Sequence, residues 1–183
     1  MKRCIYIALL LGTFTCCHAQ ETSRPKLRSM YMQAIQRRSA LDSLISLLDK
    51  VKSPSPAEQS YLGICQAVLI QYVNGNWEKY KLLGKSKSLL NRAIERAPHD
   101  PELRFMRFTL EHYLPAFLCM SIHLKEDLSV IAGEPLFLEE SPDLKKMAME
   151  FILSSNRCDE TLRSRFERAL FQLNRKLLTA SKN

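Results

Sequence analysis

The chain has 183 residues, and its 27 lysines and arginines against 19 acidic residues give a formal net charge of +8. Only five glycines occur, prolines are scattered, and apolar residues recur at helical spacing, which points to an all-helical protein long enough to build a core without staples. That balance excludes a strongly cationic polymer binder, so nucleic acid is not the expected partner.

At the start, Met1–Ala19 has the three zones of a secretory signal. Lys2 and Arg3 precede the apolar stretch Ile5–Phe14, and small residues end at Cys17-His18-Ala19 before Gln20. Cleavage after Ala19 is expected, leaving residues 20–183 as a single helical domain in an exported, periplasmic or secreted protein. A lipidated Cys16 or Cys17 is disfavoured because Thr13-Phe14-Thr15 makes a poor lipoprotein signal. The leader is shorter than the ~20 apolar residues a membrane span needs, and no later run comes closer. Cleavage would remove Cys4, Cys16 and Cys17 and leave Cys65, Cys119 and Cys158, an odd set that allows at most one internal bridge. Cys65 and Cys119 stand in apolar helical contexts and read as small buried hydrophobes.

Two amphipathic helices come next. Arg24–Arg37 aligns Leu27, Tyr31, Ala34 and Ile35, and Leu41–Val51 aligns Leu41, Leu44, Ile45 and Leu48. The run 52–56 breaks the pattern, and Ser55-Pro56-Ala57-Glu58 is a capping box with proline at the first helical position. The helix it opens, Pro56–Val73, is apolar over most of its girth and should be central. Asn74–Gly84 reads as an insertion. It holds Trp77 and Tyr80 among Lys79, Lys81 and Lys85, a basic and aromatic patch suited to an anionic partner or, more simply, to pinning a long connection to the body. The helix that follows buries Leu89, Leu90, Ala93 and Ile94, with Lys87 on its polar face and expected to be dispensable. It must end near Ala97 because Pro98 cannot continue it. Asp100-Pro101-Glu102 then opens another helix, with Asp100 as cap and Glu102 complementing the dipole.

Ser86, Leu90, Ala93 and Pro98 fall on the places of the second half of a tetratricopeptide repeat, which this stretch resembles. In the first half, Leu62-Gly63 supplies the centre of the pattern, while Gln59 and Gln66 replace its Trp and Tyr. Gly63 and Pro98 are farther apart than in the usual repeat. More broadly, Tyr61–Ile131 is similar to small exported helical proteins of Gram-negative bacteria. The resemblance implies stacked antiparallel helix hairpins, about seven helices in all, and no catalytic residue.

Beyond Leu114 a helix is predicted over Pro115–Ile131, bent after Cys119 and ended by Gly133. Another opens at Ser141-Pro142-Asp143 in the manner of Asp100-Pro101-Glu102, and a last one after Asp159 sets Leu162, Phe166, Ala169, Leu170, Leu173 and Leu177 against a basic side.

No catalytic motif or cofactor signature is present: there is no glycine-rich phosphate loop, nucleophile elbow or metal-binding histidine spacing. His112 beside Glu111, and His123 near Glu126 and Asp127, are the candidates for a metal-binding or enzymatic reading. The preferred expectation is a groove presented to a protein or peptide partner. In tetratricopeptide-like stacks the first helix of each pair lines that groove, which here implies Pro56–Val73 and Pro101–Leu114. Their polar positions Gln59, Gln66, Arg104, Arg107 and Glu111 are the expected contacts, although Arg104 and Arg107, three apart on one face, more simply pair with acidic residues of neighbouring helices. The alternative is an electrostatic binder of an anionic envelope or nucleic-acid surface through Lys79–Lys87 and the last helix. Nothing in the sequence fixes an oligomeric state.

Overall fold

A computed structural model describes residues 22–134 and 137–180. The signal reading of Met1–Ala19 lies outside them. Among the described residues the protein is all-helical, with eight α-helices, two 3₁₀ turns and no strand. The helices are α1 (Arg24–Ala34), α2 (Arg38–Asp49), α3 (Pro56–Leu69), α4 (Asn76–Arg96), α5 (Pro101–His112), α6 (Leu124–Gly133), α7 (Pro142–Ser154) and α8 (Glu160–Ala180). No helix among the described residues is long and apolar enough to cross a membrane.

Consecutive helices pair, α1 with α2, α3 with α4, α5 with α6 and α7 with α8, while α3 also packs on α1, α2 and α5. The α3–α4 pair is antiparallel, because Arg96 near the end of α4 donates to Gln59 Oε1 near the start of α3 (3.1 Å). The backbones approach closely at Gly63, where an added Cβ would stand 3.1 Å from Leu89 Cβ and 3.1 Å from Leu90 Cγ. The same antiparallel order holds for α5 and α6, since Arg104 meets Glu126 whereas Glu111 meets His123.

Local chemistry sets most helix starts. Ser55 and Glu58 form the reciprocal capping box, with Glu58 N–H donating to Ser55 Oγ (3.3 Å) and Ser55 N–H to Glu58 Oε2 (3.0 Å). Asp100 Oδ1 accepts from the N–H groups of Glu102 (3.0 Å) and Leu103 (3.3 Å). α7 opens at Pro142, but Ser141 makes no side-chain cap. Its Oγ instead accepts from Arg28 of α1 (3.4 Å). Asn156 takes the left-handed conformation (φ 55°) between α7 and α8, which asparagine tolerates.

Two expectations change. Asn74–Gly84 is not a separate insertion, since most of it is the first half of the 21-residue helix α4. Leu83 continues the buried stripe of Ser86, Leu90 and Ala93, and that packing outweighs the ~1 kcal/mol penalty of Gly84 within a helix. The helix expected over Pro115–Ile131 is divided into a 3₁₀ turn, Ala116–Leu118, and α6. Cys119 takes a left-handed conformation (φ 50°), and the polar groups of residues 120–123 find partners elsewhere. Met120 O accepts from Lys87 Nζ (2.6 Å), Ser121 Oγ donates to Glu111 O (2.6 Å), and His123 N–H donates to Glu111 Oε2 (2.8 Å).

The apolar interior has one large cluster around α1–α4, with Leu27, Leu41, Leu44, Tyr61, Cys65 and Leu90, a second around α6–α8, with Leu128, Ile131, Phe137, Ala148, Ile152 and Phe166, and a small third of Ala93, Ile94 and Leu103. α5 serves both larger ones: Met106 and Leu110 belong to the first, Phe108 to the second.

Candidate functional site

The polar side chains of α3 and α5 make three buried networks. Glu102 accepts from Arg28 Nε (2.8 Å) and Nη2 (2.9 Å), from Tyr61 Oη (2.7 Å) and from Arg24 Nη1 (3.2 Å), joining α1, α3 and α5. Burial, with the Glu102 anion beside it, pushes the Tyr61 hydroxyl far above its ordinary range, so it acts as a neutral donor. On the other side of α5, Asp127 accepts from Arg104 Nη1 (3.0 Å) and from Arg107 Nε (2.9 Å) and Nη2 (2.6 Å), and Glu126 also pairs with Arg104. Hydrogen bonding to Arg104 holds the Glu126 carboxyl below its usual range. Glu111 meets His123 Nδ1 at 2.7 Å and lies 3.8 Å from Lys87 Nζ.

These networks relocate the expected contacts. Gln59, Gln66, Arg104, Arg107 and Glu111 are all buried, at 7, 3, 6, 5 and 0% exposure, so none of them lines an open surface. The two arginines face the α6 carboxylates, and Gln59 meets Arg96. Lys87 is likewise half-buried and bonded, contrary to its reading as a dispensable polar-face residue.

The open surface on α3 and α5 is apolar instead. Side chains of α1, α3, α4, α5 and α7 line two adjoining cavities, which share residues and together form a trough with two sections. The larger, about 850 Å³, is walled by Val68, Leu83, Leu110, Leu114, Phe117 and Leu118 among others. The smaller, about 350 Å³, lies against Met32, Phe105, Met106, Leu144, Met147 and Phe151, with Arg28, Tyr61 and Glu102 among its lining. Tyr31, Ile64, Thr109 and Tyr113 line both sections. Tyr113 is 71% and Phe117 78% exposed. Sequence reading takes polarity on these helices as the mark of a contact surface, whereas their polar side chains are buried and their exposed lining is apolar. The spacing of Tyr61, Ile64 and Val68 with Phe105, Thr109 and Tyr113 is the signal that would have marked the trough.

Of the basic and aromatic patch, Lys79 and Tyr80 line the larger section. Trp77 is exposed with Lys81 Nζ 5.4 Å from its ring centroid, and Lys85 lies 3.9 Å from Asp49. His112 sits among aromatic rings, 5.3 Å from Phe151 and 6.2 Å from Phe108 by centroids, and its Nδ1 is buried without a hydrogen-bond partner among the described residues. His123 is engaged by Glu111, so the two histidines serve different neighbours. No group of three or more His, Cys, Asp or Glu side chains among the described residues is placed to hold a metal ion. Cys65, Cys119 and Cys158 are free thiols; Cys65 is buried, as expected, whereas Cys119 is exposed. With its carboxylates bound to arginine, tyrosine or histidine, the arrangement is suited to holding an apolar guest. No protein-family model, no curated protein and no solved structure matches the chain.

Proposed function

We propose that the protein is an exported helical binding protein whose trough holds an apolar segment of a protein or peptide partner. The observation that carries this reading is the apolar trough with Tyr113 and Phe117 exposed at its edge, because large aromatics gathered beside a concavity are uncommon on surfaces that meet only water. The order of helix pairing supports a tetratricopeptide-like stack, in which first helices line the binding side. Export is supported by the zones of Met1–Ala19, and an exported protein beginning at Gln20 on N-terminal sequencing is the expected result.

The test is a photo-crosslinking amino acid placed at Phe117 in cells, with Phe171 on the exposed side of α8 as the control position. A discrete adduct at Phe117, absent at Phe171 and lost with Tyr113→Glu, is expected. Tyr113 is exposed, so the substitution leaves the fold intact, as circular dichroism should verify. Equal adducts at both positions, or none at Phe117, would overturn the proposal.

A further inference from the structure

We infer that the segment held in the trough is apolar with an acidic flank, its carboxylate meeting Lys79 in the lining of the larger section. This rests on the trough being the binding surface. Lys79 is the single charged residue in the lining of that section, while Arg28 and Glu102 in the smaller section satisfy each other.

Other cations nearby are already engaged. Arg38 stacks 4.9 Å over the Tyr72 ring and is held by both Asp42 oxygens at 2.9 Å, and Lys85 has Asp49. Lys79 and Lys81 have no carboxylate within ion-pair distance among the described residues. Glu78, in the same turn, packs back toward Gly75, where it complements the positive end of α4. One unneutralised ammonium group, that of Lys79, thus stands beside exposed Tyr80 in the lining of an apolar trough, while Lys81 lies over the Trp77 ring. A segment with apolar side chains followed by carboxylates matches both halves of that surface, and a basic flank would meet like charge.

The test uses short fluorescein-labelled peptides that share a Phe/Leu core and carry a Glu, Ser or Lys flank, titrated by anisotropy against the folded chain. The Glu-flanked probe is expected to bind about tenfold more tightly than the Lys-flanked one at low salt, with the difference shrinking as salt rises. Lys79→Glu should reverse that order, Lys81→Glu on the exposed side of α4 should leave it unchanged, and Tyr113→Glu should weaken all three probes. Equal binding of the three probes would overturn the acidic-flank inference and leave the trough reading standing. Failure of every probe to bind would overturn both. If dodecanoate binds the trough while the peptides do not, the guest is a lipid chain and the inference falls. A self-associated dimer that Tyr113→Glu dissociates would show the trough to be filled by a second copy, with the same consequence.

Discussion

Asp127 has no exposed surface and neutralises two buried guanidinium groups, so its loss leaves them only the exposed Glu126 as a charge partner. Asp127→Ala is expected to cost about 3–5 kcal/mol, read as a shift in the urea midpoint at constant slope. Glu126 meets the same arginines from a half-exposed position, and Glu126→Ala should cost under about 1 kcal/mol. Comparable losses from the two would mean that burial does not set the strength of these pairs. His112 carries the opposite liability. Burial, aided by Arg157, holds its pKa below the ordinary value, so the folded state favours the neutral ring. As pH falls through about 6.5 the unfolded chain binds the proton first, and stability declines toward the folded-state pKa. Melting temperatures from about pH 7.5 to 5.5 should fall for the natural chain and fall less for His112→Phe. Identical slopes would remove His112 as the source.

Elements differ in how far the sequence announces them. The starts of α3 and α5 were legible because Ser55, Glu58 and Asp100 bond within their own first turns, where tertiary context has little say. The first half of α4 was not, because Gly84 resembles an interruption and only contact with the rest of the fold reveals Leu83 as interior. That Arg104 and Arg107 pair with acidic residues of a neighbouring helix was legible, but which carboxylate they meet was not. Their partner, Asp127, lies on α6 beyond the left-handed turn at Cys119, and spacing alone does not say how α6 folds back on α5. Gly63 shows the reverse case, a residue whose place in the repeat-like pattern matches its physical task of letting α3 and α4 approach. Gly63→Val should push against Leu89 and Leu90 and cost about 1–3 kcal/mol by chemical denaturation. A neutral result would show that the hairpin opens without strain.

At the scale of the molecule, α5 is the wall shared by both larger apolar clusters, which should make unfolding a single event. Leu90→Ala in one cluster and Ile152→Ala in the other, both fully buried, should each cost about 2–5 kcal/mol and move one common transition followed by fluorescence and circular dichroism. Two separable transitions would show that the clusters melt independently. The trough belongs to this scale too: helices neighbouring in space but distant in sequence make it, so its helices could be read from the chain and its lining could not. The break at Cys119 has a practical consequence. Its thiol is exposed one residue from Leu118 in the trough wall, whereas Cys65 is buried with its thiol pushed up to about 12, and half-buried Cys158 is also shifted upward by burial. A maleimide dye at neutral pH should therefore attach to Cys119 first, as peptide mapping would verify, and the natural chain then becomes an optical sensor whose brightness follows filling and emptying of the trough with no engineered residue.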